Sequence, residues 1–262
     1  MLTFKEEIIM KKQEVHIRNL LIGNGRSCIC VPITARDLQE LDISLDALEG
    51  HAGDMVEWRA DFFEEIPDRE TLADLLKRIR RRIGARPLLF TYRTRKEGGR
   101  GIDGGPRYRE LLLGAAASQA VDMVDVELFT AAGNAQVLVG ELHLLGAVVI
   151  GSSHDFEKTP SEEEMLSRLC TMQDLGMDIT KLAVMPKDRL DVLRLLSVAV
   201  KMEEQYADRP CVTMAMGPLG VLSRVSESLT GNAITFGTCL EASAPGQIPA
   251  DRLEKILEWV RA

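Results

Sequence analysis

The chain has 262 residues, of which 45% are hydrophobic and 27% are charged, and its formal net charge is -8. This length is sufficient for one large domain, or two smaller ones, with a full hydrophobic core. The negative charge argues against nucleic acid or an anionic membrane surface as a general partner, because both would repel the protein. It does not exclude an anionic small molecule, which needs only a local basic pocket. No run of about 20 apolar residues predicts a membrane span.

The cysteines indicate a reducing compartment. There are five of them, an odd number, and none forms a C-x-x-C pair. Cys28, Cys30 and Cys211 lie in apolar runs, which is typical of buried reduced thiols and not of a zinc site or a disulfide framework. The first residues also lack the layout of a signal peptide. We therefore expect a cytoplasmic protein, with residues 1–13 as an N-terminal extension and residues 14–262 as a single domain.

The rest of the chain alternates between strand-like and helix-like segments. Apolar residues recur at helical spacing in Asp68–Arg82, Ser161–Leu175, Leu190–Gln205 and Asp251–Arg261. Eight short apolar runs predict strands, namely Cys28–Ile33, Met55–Ala60, Leu88–Tyr92, Met123–Glu127, Ala147–Ser152, Lys181–Val184, Cys211–Met214 and Ala233–Phe236. Eight alternating units of about 30 residues each predict an α/β fold, a (β/α)8 TIM barrel. The alternative is an open doubly wound sheet, but no G-x-G-x-x-G motif follows the first strand.

One further strand candidate, Glu14–Leu21, precedes the barrel. The turn signal Gly23-Asn24-Gly25 connects it to the first barrel strand, and turns of this composition favour hairpins. We expect this N-terminal β-hairpin to close the bottom of the barrel, which is the end where the strands begin.

Charged residues interrupt or follow several of the predicted strands. In a barrel, chemistry gathers at the carboxyl ends of the strands, and buried charge there must be paired. Glu57 and Arg59 are two residues apart on the second strand, so they point to the same side. Polar candidates in the other units are Arg93, Glu97, Asp125, Glu127, His154, Lys181, Arg224 and Gln247.

Lys181 is the most informative of these residues because it lies within the sixth predicted strand. Burial disfavours the charged form of a lysine, and a neutral amine is a nucleophile that can form a Schiff base with a ketone. Taken alone, it is explained more simply by a buried salt bridge or by a side chain that reaches solvent. Glu57 with Arg59 can equally be a structural ion pair, and His154 a loop histidine. Together, however, this much inward charge indicates a functional site.

At these residues the sequence resembles the type I 3-dehydroquinate dehydratase family, the Schiff-base-forming enzymes of the shikimate pathway. The resemblance covers roughly residues 14 to 260, and it is specific because the motifs occur in the family's order. The matching motifs are Glu57-Trp58-Arg59-Ala60-Asp61, Phe90-Thr91-Tyr92-Arg93, Lys96-Glu97-Gly98-Gly99, Asp125-Val126-Glu127-Leu128-Phe129, Ser153-His154-Asp155-Phe156, Lys181-Leu182-Ala183-Val184-Met185-Pro186, Thr213-Met214-Ala215-Met216-Gly217, Ser223-Arg224 and Ala242-Ser243-Ala244-Pro245-Gly246-Gln247-Ile248.

The resemblance implies a hydro-lyase in which Lys181 forms the imine, His154 is the general acid and base, and Glu97 assists the histidine. It implies a homodimer and no metal or organic cofactor. Pro32 departs from the family pattern, in which some members carry a serine, and puts one hydroxyl contact with substrate in doubt. The residues that the resemblance assigns to substrate binding are Glu57, Arg59, Arg93, Arg224, Ser243 and Gln247.

Two other functions fit parts of this pattern. A class I aldolase shares the barrel and the lysine of the sixth strand, but would break a carbon–carbon bond instead of losing water. A non-catalytic barrel that binds a small carboxylate would never modify Lys181 covalently. The histidine at the end of the fifth strand favours the dehydratase.

Overall fold

The computed structural model describes residues 12–64, 68–102, 104–131, 133–240 and 242–261. Most of the expected N-terminal extension, residues 1–11, lies outside the described residues. Within the described ranges, no helix is long and apolar enough to cross a membrane.

The predicted alternation of strands and helices is confirmed. The strands are β1 (Val15–Ile17), β2 (Leu20–Ile22), β3 (Cys28–Ile33), β4 (Met55–Arg59), β5 (Leu88–Thr91), β6 (Met123–Glu127), β7 (Val148–Asp155), β8 (Ile179–Val184), β9 (Cys211–Ala215), β10 (Ile234–Thr238) and β11 (Ile248–Pro249). The α-helices are α1 (Leu38–Ala47), α2 (Arg69–Ile83), α3 (Gly105–Ala117), α4 (Ala135–Leu144), α5 (Glu162–Asp174), α6 (Arg189–Lys201), α7 (Glu227–Thr230) and α8 (Ala250–Arg261). Short 3-10 helices follow β4, β5 and β9, at Ala60–Phe62, Arg95–Glu97 and Pro218–Arg224.

Strands β3 to β10 form a parallel sheet in which each strand from β3 to β8 pairs with the next, and β10 pairs back with β3. Strand β9 is joined to the residues just before β10 by individual hydrogen bonds, and these complete the ring. There the Ala233 N–H donates to the Cys211 carbonyl oxygen at 2.9 Å, and the Thr213 N–H donates to the Asn232 side chain at 2.8 Å. The ring of eight strands with intervening helices is the (β/α)8 barrel expected from the sequence.

The helices pack on the outside of the barrel through apolar stripes. Helix α2 buries Leu72, Leu76, Ile79 and Ile83, which are three or four residues apart and so lie on one face. Its first turn is capped by the Asp68 side chain, which accepts a hydrogen bond from the Thr71 N–H at 2.9 Å.

The inner face of the barrel is apolar at the end where the strands begin. The side chains there are Cys28, Met55, Leu89, Met123, Ile150, Ile179, Val212 and Ile234, and all of them are buried in one cluster. Two residues further along each strand, the same inner face becomes polar on β4 to β8, because alternate residues of a strand share a face. These second-level residues are Glu57, Thr91, Asp125, Ser152 and Lys181, whereas β9, β10 and β3 contribute Met214, Phe236 and Cys30.

The N-terminal hairpin is formed by β1 and β2, which pair antiparallel around Arg18 and Asn19. The predicted boundaries of this hairpin are therefore wrong. Arg18 takes the left-handed conformation that reverses the chain, with φ at 53°, and Gly23-Asn24-Gly25 only connects β2 to β3. The apolar residues Ile17 and Ile22 pack against the inner residues where the barrel strands begin, so the hairpin closes the bottom of the barrel as expected.

A repeated side-chain contact fastens neighbouring strands at this end of the barrel. In four places, the side chain of an Asp or Asn just before an even-numbered strand accepts a hydrogen bond from a backbone N–H near the start of the preceding strand. The pairs are Asp54 with Ile29 at 2.7 Å, Asp122 with Leu88 at 2.8 Å, Asp178 with Val149 at 2.7 Å and Asn232 with Thr213 at 2.8 Å. The barrel is thus built from four strand pairs that share one contact, although no internal repeat is visible in the sequence.

Asp122 is the most heavily used of these acceptors, because it also binds Arg80 of α2 and, at 2.6 Å, Arg18 of the hairpin. We expect Asp122→Ala to lower the free energy of unfolding by roughly 1.5–3 kcal/mol, the scale for hydrogen bonds to a charged group. Asp46→Ala is the matched control, since the Asp46 carboxylate is 69% exposed in its pair with Arg82 and exposed pairs contribute little. Urea unfolding of both variants measures the difference, and equal stability of the two variants would contradict the role of the clamp.

Candidate active site

Lys181 lies on the inner face of β8, and only 4% of the residue is exposed. Its Nζ is 3.5 Å from Asp125 Oδ2 on β6 and 4.4 Å from the centre of the Phe236 ring on β10. A carboxylate and the face of an aromatic ring both stabilise a cation. The amine therefore has a fixed position between one acid and one apolar wall.

The guanidinium of Arg93 is the centre of a buried polar network beside the lysine. Its Nη2 is 2.8 Å from Asp125 Oδ2, and its Nη1 donates to Glu127 at 3.0 Å and to Ser152 Oγ at 2.9 Å. Burial works against the charge of Arg93, but the acids, first Asp125 and then Glu127, outweigh it and raise the pKa of this guanidinium. Much of its donor capacity is therefore used within the protein, which limits what Arg93 can offer a substrate.

Glu97 and His154 form a pair next to this network. Glu97 ends the 3-10 helix that follows β5, and His154 lies near the end of β7. The Nδ1 atom of His154 is 2.9 Å from Glu97 Oε2. The same oxygen accepts the His154 backbone N–H at 3.1 Å and lies 3.4 Å from Arg93 Nη1. Oε2 therefore acts as a hydrogen-bond acceptor for the His154 backbone N–H and for Arg93. For this reason we assign the proton between Oε2 and Nδ1 to the histidine, which leaves Nε2 as the basic atom.

The electrostatics of this pair are dominated by burial. Burial, followed by the cations Arg93, Lys181 and Arg59, holds the pKa of His154 well below its ordinary value. Burial also raises the pKa of Glu97 to about 8, against the opposing effect of Arg93. A neutral imidazole is thus favoured, and it is the form that can remove a proton.

Arg224 ends the 3-10 helix that follows β9, and only 2% of the residue is exposed. Its Nη2 donates to the Pro245 carbonyl oxygen at 3.0 Å, but in the described part of the chain its Nε and Nη1 have no hydrogen-bond partner. Burial lowers the pKa of the guanidinium to about 10, so it remains charged at neutral pH. A buried cation with unused donors is costly unless an anion binds there.

Glu57 and Arg59, both on β4, do not bind each other. Glu57 accepts a hydrogen bond from Thr91 Oγ1 at 2.7 Å, whereas Arg59 makes a two-pronged contact with Asp61 at 2.8 and 2.9 Å. The interpretation of Glu57 and Arg59 as a structural ion pair is therefore wrong. Asp61 is the acid that orients Arg59.

Ser243 and Gln247 belong to the loop between β10 and β11. Gln247 Nε2 donates to Ser243 Oγ at 3.0 Å, and the Ser243 N–H donates to Gln247 Oε1 at 2.9 Å. This mutual contact folds the loop over the open end of the barrel. Pro245, between them, is the residue whose carbonyl group holds Arg224.

A single cavity at the carboxyl ends of the strands brings most of the predicted residues together. Arg224 is absent from its lining and touches the loop that covers it. The predicted residues that line the cavity are Glu57, Arg59, Arg93, Glu97, His154, Lys181, Ser243 and Gln247. Sequence reasoning missed its apolar wall, which consists of Phe156, Ala183, Met214, Met216, Phe236 and Ala244. Alternation along β9 and β10 was the signal that could have found Met214 and Phe236.

The described residues contain no group of three or more His, Cys, Asp or Glu side chains placed to hold a metal ion. All five cysteines are free thiols. Burial raises the pKa of Cys30, which lies on the inner face of β3 near Glu57 and Lys181.

Comparison with known sequences decides the family. A sequence model of the family described as type I 3-dehydroquinase matches residues 29–262. The chain belongs to this family. A 3-dehydroquinate dehydratase of Syntrophotalea carbinolica is 44% identical over 243 residues, which are 93% of this chain and 96% of that protein. One of Bacillus velezensis is 43% identical over 94% of this chain and 97% of its own length.

Solved structures of the family have the same architecture. A type I 3-dehydroquinate dehydratase from Clostridium difficile, described with covalently modified comenic acid, superimposes with a TM-score of 0.90. It is 40% identical, and the match covers 95% of this chain and 98% of that one. The family resemblance inferred from the ordered motifs is therefore confirmed.

Proposed function

We propose that this chain is a 3-dehydroquinate dehydratase, which removes water from 3-dehydroquinate to give 3-dehydroshikimate in the shikimate pathway. The observation that carries the proposal is the placement of the Lys181 amine and the His154 imidazole in one cavity. A buried amine supplies the nucleophile, and a neutral imidazole supplies the base. Membership of the family and the names of its relatives support the substrate.

The chemistry assigned to these two residues conserves atoms and charge. The Lys181 nitrogen bonds to the ketone carbon, the carbonyl oxygen leaves as water, and a protonated imine results. His154 removes a proton from the adjacent carbon, and the electron pair moves through the new double bond to nitrogen as an enamine. The enamine then expels the hydroxyl one carbon further on, and His154 returns its proton so that water departs. Hydrolysis of the imine releases the conjugated enone and the free amine.

The remaining polar residues are proposed to hold the substrate. Glu57, with its second oxygen free of Thr91, suits a hydroxyl group, and Ser243 with Gln247 covers the substrate from the loop. Arg224 suits the carboxylate, because its buried Nε and Nη1 are without partners among the described residues. A planar guanidinium can bind a carboxylate through two parallel hydrogen bonds.

Arg224→Lys is expected to raise the dissociation constant for substrate by an amount equivalent to about 1.5–3 kcal/mol, the scale for a charge-assisted hydrogen bond. The lysine keeps the positive charge but loses the forked geometry. Arg36→Lys is the control, since the Arg36 side chain is 56% exposed and pairs with Glu40 outside the cavity. Binding of a substrate analogue by calorimetry measures the effect, and unchanged affinity in Arg224→Lys removes this residue from the site.

The activity itself is tested by mixing the purified protein with 3-dehydroquinate and following the ultraviolet absorbance of the conjugated enone. We expect turnover without added metal or organic cofactor, and an unchanged rate in the presence of a chelator. Absence of turnover would refute the proposal. Cleavage of a sugar phosphate in its place would favour the class I aldolase.

Two further features of the proposal concern the whole protein. We propose a homodimer. It is supported by exposed apolar side chains on α6 and on the adjacent segment after β9. Light scattering at assay concentration measures the mass of the particle and so tests this proposal. We also propose a cytoplasmic location, supported by the free thiols. The exposed side chains are Leu190, Leu193, Leu219, Leu222 and Leu229.

A further inference from the structure

Asp125 has no role in the chemistry proposed so far, yet it is the acid in contact with the reacting nitrogen. Only 1% of Asp125 is exposed, and its Oδ2 lies 3.5 Å from Lys181 Nζ. In the described chain no other carboxylate is within ion-pair distance of this amine. A buried acid at this position interacts with every charge that develops on the nitrogen.

The carboxylate of Asp125 is held in place and kept ionised. Ser152 Oγ donates to Oδ1 at 2.5 Å, and Arg93 Nη2 is 2.8 Å from Oδ2. Burial alone would disfavour the anion, but Arg93 and then Lys181 outweigh it, and the pKa of Asp125 is lowered. Asp125 is therefore a fixed negative charge and a poor proton acceptor.

The surroundings of the Lys181 nitrogen make Asp125 its dominant charged neighbour. On the β9 and β10 side the wall is uncharged, with Met214 and the ring of Phe236. Titratable and charged groups reach the cavity region from the other elements around it. They are Cys30 from β3, Glu57 and Arg59 from β4, Arg93 and Glu97 from the segment after β5, Asp125 and Glu127 from β6, and His154 from β7.

We propose that Asp125 is the counter-ion of the protonated imine on Lys181, an inference that rests on the proposed dehydratase function. When an ammonium group condenses with a ketone, the products are a protonated imine and one water, so the nitrogen keeps its single positive charge. A carboxylate already positioned for the ammonium is thus positioned for the imine without reorganisation. The protonated imine is the electron sink on which removal of the adjacent proton depends.

This role predicts how the imine responds to pH. An opposite charge within about 4–6 Å raises the pKa of a cation by about 1–3 units. The imine should therefore stay protonated to higher pH in the wild type than in a variant that lacks the carboxylate. Cyanoborohydride reports this directly, because it reduces the protonated imine and not the neutral one.

The experiment compares three variants of the full chain in the presence of 3-dehydroquinate, with the rate of cyanoborohydride trapping on Lys181 measured as a function of pH. In Asp125→Asn the alkaline midpoint of trapping should move down by about one pH unit or more. Asp125→Glu keeps the charge and should retain a midpoint near that of the wild type. Glu127→Gln removes another carboxylate that binds Arg93, and it should slow the reaction without moving the midpoint.

The outcomes separate the counter-ion from the proposed function. If the wild type forms an adduct and the midpoint is the same in Asp125→Asn, the counter-ion role is wrong. An equal shift in Glu127→Gln would assign the effect to the polar network as a whole and would also overturn the proposal. If the wild type forms no adduct with 3-dehydroquinate, the proposed function fails first and the counter-ion role fails with it. Should Asp125→Asn not fold by circular dichroism, Asp125→Ser supplies the neutral variant, with the same shift expected.

Discussion

Lys181→Ala is expected to abolish dehydration of 3-dehydroquinate and to remove all reductive trapping. Loss of a covalent nucleophile lowers turnover on the order of 10⁶-fold in enzymes where it has been isolated. The effect should be this large here because no other amine reaches the position next to Asp125 and Phe236 in the described chain. Alanine also removes a buried cation, so the fold should be checked by thermal unfolding with and without substrate.

The trapping measurement locates the reacting amine. Wild-type protein is incubated with 3-dehydroquinate, reduced with borohydride and digested, and the modified peptide is identified by mass spectrometry. Lys187→Ala is the matched control, since Lys187 is an exposed lysine a few residues beyond β8 and should label and turn over as the wild type does. A label on a different lysine, or an active wild type that is never labelled, would remove Lys181 from its role.

The barrel could be predicted from the sequence because each strand is a short, mostly apolar run, and most of these runs are followed by a segment long enough for a helix. The strand Met123–Glu127 was predicted with the boundaries that the structure shows. The hairpin could not be placed in the same way. Its turn uses Arg18 in a left-handed conformation, which the sequence does not signal, whereas the nearby Gly23-Asn24-Gly25 is the stronger turn motif.

The composition of the site was predictable where it depends on one strand at a time. Alternation along a strand and the family motifs predicted that Lys181 and Glu57 face the inside of the barrel, and both line the cavity. Contacts that cross the barrel were not predictable, because they depend on its curvature and on the stagger of its strands. The ion pair of Lys181 with Asp125, which lies two strands away, and the capture of Arg93 by acids of β6 are of this kind.

His154→Ala is expected to separate the two stages of the reaction. General acid–base assistance is worth about 10²–10⁴-fold for each group, and one imidazole would serve two proton transfers here, so turnover should fall at or beyond the upper end of that range. Imine formation does not need the same proton removal. Reductive trapping on Lys181 should therefore persist, although more slowly.

The pH dependence of the wild type tests the same residue from another direction. Because the pKa of His154 is lowered, the neutral base should be present at pH 7 and be lost only as the pH falls through that lowered pKa. We therefore expect kcat/KM to stay at its neutral-pH value until the pH is below 6.5, the ordinary pKa of a histidine. His51→Ala serves as the control, since His51 is exposed and pairs with Asp251 outside the cavity. If His154→Ala dehydrates the substrate at a near-normal rate, His154 is not the general base, and Glu97 or Glu127 becomes the next candidate. That result would also weaken the distinction between a dehydratase and an aldolase, because the distinction depends on the histidine.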